Sequence, residues 1–166
     1  MLNGCPWRKF HKGCRNNCKK LTDDSQKQRV YCWEETLNHD IEESVKVLTI
    51  EECKKLVSKI CNRYQIKPPE VVKGKWKRRA NGGKDFITLP NRYRDRIAVV
   101  HETSHALEQN HAVKYDTYET REDHGPIFMR YVLENLSKEL RIPIKKLMKT
   151  VEIFELKVAR KKDCKL

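Results

Sequence analysis

The sequence lacks any apolar run long enough to cross a membrane. Its longest uninterrupted aliphatic run is Ile97-Ala98-Val99-Val100, whereas a membrane-spanning helix needs about 20 consecutive apolar residues. The first ten residues contain basic side chains but no apolar stretch after them, so we expect no secretory signal and a cytoplasmic location. A length of 166 residues excludes a multidomain machine and fits one domain with a buried core.

The sequence also lacks the cysteine pattern of a secreted disulfide framework. It has seven cysteines, an odd number, and in a reducing compartment we expect thiols or metal ligands rather than disulfides. A second, closed zinc site is one interpretation of Cys5, Cys14, Cys18 and Cys32. Their spacing matches no zinc finger or knuckle, and free thiols in a basic arm are the alternative.

Acidic residues are too few to balance the basic ones. The chain has 36 Lys and Arg against 23 Asp and Glu, a formal net charge of +13, which favours a polyanionic partner. The excess is concentrated in residues 1–20, 71–96 and 141–166, and aromatic side chains stand among the basic ones. We therefore expect DNA or another nucleic acid to bind through Arg8, Lys9, Lys75, Trp76, Lys77, Arg78 and Arg79. Solvated lysine-rich faces are the alternative interpretation.

The residue pattern predicts helices packed around a small β-hairpin or sheet, which is an α+β fold. Apolar residues at three- and four-residue steps indicate helices. The clearest one begins at a capping box at Thr49 and has Cys53 and Cys61 on its buried face. The predicted helices cover about residues 25–37, 50–64, 92–110, 126–136 and 142–148, and the predicted strands cover residues 70–80 and 85–89. A turn at Asn81-Gly82-Gly83 would join the two strands in a hairpin.

The central motif is His101-Glu102-Thr103-Ser104-His105, which matches H-E-x-x-H. On a helix, residues four apart lie on one face, so both imidazoles can reach one Zn²⁺ while Glu102 projects beside them. Zinc lowers the pKa of bound water to about 7, and a neighbouring carboxylate can take its proton and deliver it to a leaving amine. The motif therefore predicts a hydrolase site with His101 and His105 as metal ligands and Glu102 as general base.

A catalytic zinc usually has three protein ligands, and the sequence offers several candidates for the third. His111 stands where the metzincin pattern has its last histidine, but Glu replaces the Gly that permits the sharp turn in that pattern. Glu119 or Glu122 would give a site with two His and one Glu. His124 ends a polar loop directly before a Gly-Pro pair, where the start of a new helix would fix its orientation.

The segment after this loop is similar to part of a known family. Arg121-Glu122-Asp123-His124-Gly125-Pro126-Ile127-Phe128, following an H-E-x-x-H-A helix, resembles the H-G-P-x-F segment of SprT-like zinc metallopeptidases, which include the Spartan-like proteases of DNA–protein crosslinks. In that family the His of H-G-P is the third zinc ligand, which the resemblance places at His124. Through residues 25–34, 87–90 and 142–148, the chain is also similar to small metallohydrolases of actinobacteria and their phages.

Together, the motif and the resemblance predict a zinc metallopeptidase with a zincin-like active-site helix, acting on nucleic-acid-associated proteins. The resemblance implies a SprT-like domain over residues 23–150, flanked by a basic Cys-containing segment at 1–22 and a basic tail at 151–166. If a phage encodes the chain, the expected location is the host cytoplasm. We expect one catalytic Zn²⁺ and, if the cysteines bind metal, a second structural one.

Two other functions stay open at the level of the sequence. One is a nucleic-acid-binding or virion-associated module in which the zinc centre is only structural. The other is a zinc amidase that acts on a different amide, such as one in a cell-wall peptide.

Overall fold

Helices frame a small three-stranded sheet in the computed structural model, which describes residues 26–41, 46–75, 79–117, 119 and 121–166. The helices are α1 (Lys27–Asp40), α2 (Ile50–Arg63), α3 (Arg96–Lys114), α4 (Pro126–Glu139) and α5 (Ile144–Ile153), and the strands are β1 (Glu70–Lys73), β2 (Asn81–Gly82) and β3 (Phe86–Leu89). This confirms the predicted α+β fold. Within the described ranges, no helix combines the length and the apolar character that crossing a membrane takes.

The sheet has the strand order β1-β3-β2. β1 pairs with β3 in parallel and β2 pairs with β3 antiparallel, so that Val71 and Gly82 both lie opposite Ile87 on the central strand. The predicted hairpin is therefore wrong, because β1 and β3 are parallel. Asn81–Gly82, part of the predicted turn, forms the edge strand β2. Alternation of apolar and polar residues indicates a strand but does not encode the direction of its partner.

Local capping sets where α2 and α3 begin. The Thr49 hydroxyl accepts a hydrogen bond from the backbone N–H of Glu52 (3.2 Å), and the Glu52 carboxylate accepts one from the Thr49 N–H (2.7 Å), as the capping box predicts. Asp95 caps α3, because its Oδ1 atom accepts from the Ala98 N–H at 2.8 Å. Helix α3 consequently begins a few residues later than predicted, after a short 3₁₀ turn at Asn91–Tyr93.

Helix α3 lies at the centre of the core and positions the central motif. It packs against α2, α4, β2 and β3. Four of its apolar side chains are at most 1% exposed: Ile97, Val99, Val100 and Leu107. Because neighbours cover most of its surface, the polar side chains of the motif are buried together with the apolar ones.

The C-terminal segment packs against the rest of the domain. The predicted boundary after residue 150 falls inside α5, and Phe154, Leu156 and Cys164 are buried in the core. The backbone N–H of Ala159 donates to the carbonyl oxygen of Pro126 at the start of α4 (2.9 Å). The His111 ring on α3 contacts the Asp163 carbonyl oxygen, and the Tyr131 hydroxyl on α4 donates to the Cys164 carbonyl oxygen. Residues 151–166 are thus part of the packed domain rather than a separate tail.

We predict that Gly82→Ala separates β2 from α3. A Cβ atom on Gly82 would lie 2.1 Å from the carbonyl oxygen of Glu102, which is too close for two nonbonded atoms. The substitution should lower the free energy of unfolding by about 1–3 kcal/mol, the usual cost of overpacking, as measured by chemical denaturation. Gly83→Ala is the control, since its Cβ would lie at ordinary contact distances, 3.4 Å from the Gln109 side chain and 3.7 Å from the Phe86 carbonyl oxygen. Equal destabilisation by both variants would contradict this prediction.

Candidate metal centre

Helix α3 places three polar side chains of the H-E-x-x-H motif inside the domain. His101 and His105 are one turn apart and therefore share a face of the helix. Both are buried, as is Glu102. Thr103 and Ser104 lie between Glu102 and His105. Their hydroxyl groups find hydrogen-bond partners within the helix, because each donates to the backbone carbonyl four residues earlier.

His124 reaches the same place from the loop before α4. Gly125 caps α4 and Pro126 is its first residue, which is the helix start that the Gly-Pro pair predicts. The Gly125 N–H donates to the carbonyl oxygen of Glu122 (2.9 Å). The Gln26 side-chain amide, just before α1, donates to the carbonyl oxygen of His124 (2.7 Å). These bonds hold the loop, and the His124 side chain is buried.

The imidazole nitrogens of these three histidines converge. The His101 Nε2 atom lies 3.2 Å from Nε2 of His105 and 3.3 Å from Nε2 of His124, and ligand atoms of all three lie within 4.8 Å of one another. The Phe128 ring packs against all three rings, with centroid distances from 4.5 to 5.0 Å. His101, His105 and His124 can therefore bind one metal ion.

Burial favours the protonation state that binds a metal. Burial above all, and then the charges of His101 and His124, lowers the pKa of His105 well below its usual value. A neutral imidazole has a lone pair on one ring nitrogen, and metal ions bind at that lone pair. At neutral pH His105 is thus in the form that a metal ligand requires.

Helix α1 contacts the centre from another side. The Glu34 Oε1 atom is 2.7 Å from Nδ1 of His101, and Glu34 is buried. The Tyr31 ring stacks on His101 at a centroid distance of 5.5 Å and meets the His124 ring edge to face at 5.3 Å. Sequence reasoning missed Tyr31 and Glu34 as site residues, because 67 positions separate Glu34 from His101 and no local pattern signals the contact.

The carboxyl group of Glu102 has a raised pKa. Burial raises its pKa to about 7, and the charge of Glu34 contributes to the rise, while the charge of His101 and the backbone N–H of Gly82 oppose it. A carboxyl group with a pKa near 7 can both accept and donate a proton near neutral pH. The centre therefore combines three converging imidazoles with a buried carboxyl group that lies on α3 together with His101 and His105.

The other candidates for a third ligand lie elsewhere. Helix α3 continues past its predicted end, so His111 stays helical, six residues after His105 and about 9 Å further along the axis. The His111 ring contacts the backbone carbonyl oxygen of Asp163 instead, at 2.9 Å. Glu119 and Glu122 are exposed. None of these three residues belongs to the group of closely spaced ligand atoms in the described part of the chain.

Most residues predicted to bind nucleic acid or a second metal lie outside the described residues. These are Cys5, Arg8, Lys9, Cys14, Cys18, Trp76, Lys77 and Arg78. Cys32 is buried in the core on α1, and Lys75 and Arg79 are exposed. A second metal site and a nucleic-acid surface at these positions stay predictions.

Comparison with known proteins identifies no relative. No protein-family model matches the chain, and neither does any curated protein or any solved structure. The geometry of the centre and the motif residues themselves are therefore the basis for inferring a function.

We predict that His101→Ala, His105→Ala and His124→Ala each abolish stoichiometric metal binding, because each removes one of three converging ligands. Elemental analysis of purified protein equilibrated with zinc measures the loss from about one ion per chain. His111→Ala is the matched control, as it removes a buried histidine of the same helix that lies outside the cluster. Metal loss in His111→Ala together with retention in His124→Ala would reverse the ligand assignment.

Proposed function

We propose that the three histidines bind one Zn²⁺ and that the chain is a zinc-dependent metallopeptidase. Two ligands of a tetrahedral zinc ion, each about 2.0–2.1 Å from the metal, lie about 3.3 Å apart. The separations of 3.2 and 3.3 Å from His101 Nε2 to the other two Nε2 atoms fit this value. Three imidazole ligands leave the fourth coordination position open, which is typical of catalytic zinc, whereas structural zinc usually has four protein ligands.

The position of Glu102 is the observation that carries the proposal. Glu102 follows the ligand His101 directly on α3, and its side chain is buried beside the centre. Bound zinc supplies Lewis-acid chemistry, which polarises a carbonyl group and lowers the pKa of water. The Glu102 carboxylate accepts a proton from the attacking water, and the resulting carboxylic acid donates it to the nitrogen of the leaving amine.

The edge of the sheet beside Glu102 supports a peptide as the substrate. β2 is an edge strand of the described sheet, and Gly82 lies directly against the Glu102 backbone. A sheet edge presents unpaired backbone N–H and C=O groups to which an extended peptide can add as a further strand. The Gly82 N–H already faces the Glu102 carboxylate, so a peptide would pair with other backbone groups of this edge, next to Glu102. This supports a peptide as the substrate.

The basic residues support recruitment to nucleic-acid-associated proteins. The net charge of +13 favours a polyanionic partner. Lys75 and Arg79 are exposed, and Arg79 stands two residues before β2. A nucleic acid bound by these side chains would therefore lie close to the proposed peptide-binding edge, which would bring proteins bound to that nucleic acid near the centre.

We predict that Glu102→Gln lowers peptide hydrolysis by at least about 100-fold while zinc content stays near that of the wild type, because Gln cannot accept the proton. Cleavage of casein and of DNA-bound proteins, measured with and without DNA, tests this. Glu119→Gln is the control, since it removes an exposed carboxylate near the loop before α4. Wild-type rates in Glu102→Gln would contradict the mechanism. Zinc-loaded wild-type protein that binds DNA but cleaves nothing would favour the module with a structural zinc.

We predict that Lys75→Glu combined with Arg79→Glu weakens DNA binding. Each lost phosphate contact should reduce the slope of log affinity against log salt by about 0.9, so the double variant should reduce it by about 1.8. Titrations at several salt concentrations measure the slope. The control variant combines Lys55→Glu on α2 with Lys149→Glu on α5, which makes the same charge change at other exposed positions. An equal effect of both double variants would argue against a localised surface.

A further inference from the structure

A buried carboxylate outside the H-E-x-x-H motif contacts the histidine centre. Glu34 lies on α1, and its Oε1 atom is 2.7 Å from Nδ1 of His101. This is the length of a charge-assisted hydrogen bond. The Glu34 side chain is 11% exposed and the His101 side chain 5%, so water competes little for either partner.

The chemistry of the pair determines which nitrogen of His101 bears the hydrogen. A carboxylate only accepts hydrogen bonds, so Nδ1 of His101 donates to Glu34. In the neutral ring the lone pair is then on Nε2. Nε2 is also the atom that faces the Nε2 atoms of His105 and His124. Glu34 therefore selects the tautomer of His101 whose free lone pair points to the centre.

The packing of α1 holds Glu34 in place. The adjacent Trp33 is fully buried, and its indole N–H donates to the Thr150 hydroxyl at 2.8 Å. Tyr31, one turn before Glu34, stacks on the face of the His101 ring. The ring of His101 is thus held at its edge by Glu34 and on its face by Tyr31, both of which belong to a helix anchored in the core.

We infer that Glu34 is a positioning residue of the metal centre, which fixes the tautomer and the ring orientation of His101 and thereby raises the affinity for zinc. The inference rests on the proposed zinc site and deepens it. Removal of the hydrogen-bond partner of a ligand histidine typically weakens metal binding 10- to 100-fold. A buried ion pair with only a structural role would instead stabilise the fold and leave the zinc affinity of the folded protein unchanged.

The zinc dissociation constants of Glu34→Ala and Glu34→Gln test the inference in the full chain, by competition with a chromophoric chelator. Circular dichroism and thermal unfolding without metal establish that each variant is folded. We expect Glu34→Ala to bind zinc about 10- to 100-fold more weakly and Glu34→Gln to be intermediate, because the Gln carbonyl accepts the hydrogen bond without a charge. Glu35→Gln, at the exposed neighbouring position, should match the wild type. Affinities of folded Glu34→Ala and Glu34→Gln within about threefold of the wild type would overturn the inference.

Nitrogen-15 NMR of the His101 ring tests the same point in the wild type and needs no folded variant. We expect the ring hydrogen on Nδ1 in the zinc-free protein, and a hydrogen on Nε2 instead would overturn the inference. Neither measurement depends on catalysis. A wild type that binds zinc but cleaves no peptide would contradict only the proposed function. Zinc affinities of the Glu34 variants equal to that of an active wild type would contradict only the role of Glu34. Absence of zinc binding by the wild type would overturn both.

Discussion

The burial of helix α3 is the constraint on which the centre depends. Neighbouring helices and the sheet cover α3, so that His101, Glu102 and His105 are at most 8% exposed. Burial disfavours the charged form of an ionisable group. It lowers the pKa of His105 and raises that of Glu102 to about 7. The same physical cause therefore shifts both pKa values, towards a neutral imidazole at His105 and towards a protonated carboxyl group at Glu102.

The remaining parts of the centre come from elements that pack on or near α3. The turn before α4 provides His124, α1 provides Glu34 and Tyr31, and β2 places Gly82 against the backbone of Glu102. These elements are far apart along the chain, so the constellation exists only in the folded domain. A metal that binds this arrangement and not the unfolded chain stabilises the fold by mass action. Binding of a metal at these three histidines would accordingly be coupled to folding.

Local patterns predicted the features that local interactions determine. The four-residue spacing placed His101 and His105 on one face of a helix, and the Gly-Pro pair indicated that His124 precedes a new helix. His111 lies outside the centre because α3 continues through it, as expected where no Gly permits a sharp turn. The direction of β1 and the contact of Glu34 with His101 depend instead on tertiary packing, since neither alternation nor helical periodicity specifies which distant segment lies opposite.

Glu34 and Glu102 flank the same histidine but have different surroundings. Glu34 accepts the Nδ1 hydrogen of His101, a donor fixed in the core, and its negative charge contributes to the raised pKa of Glu102, although burial is the larger cause. Glu102 is near the backbone N–H of Gly82 on the edge strand. In the proposed peptidase, a peptide that meets this edge would lie next to Glu102, which is the carboxyl group proposed to exchange protons. In this proposal the element that each carboxyl group faces, and not its residue type, distinguishes the positioning role of Glu34 from the proton-transfer role of Glu102.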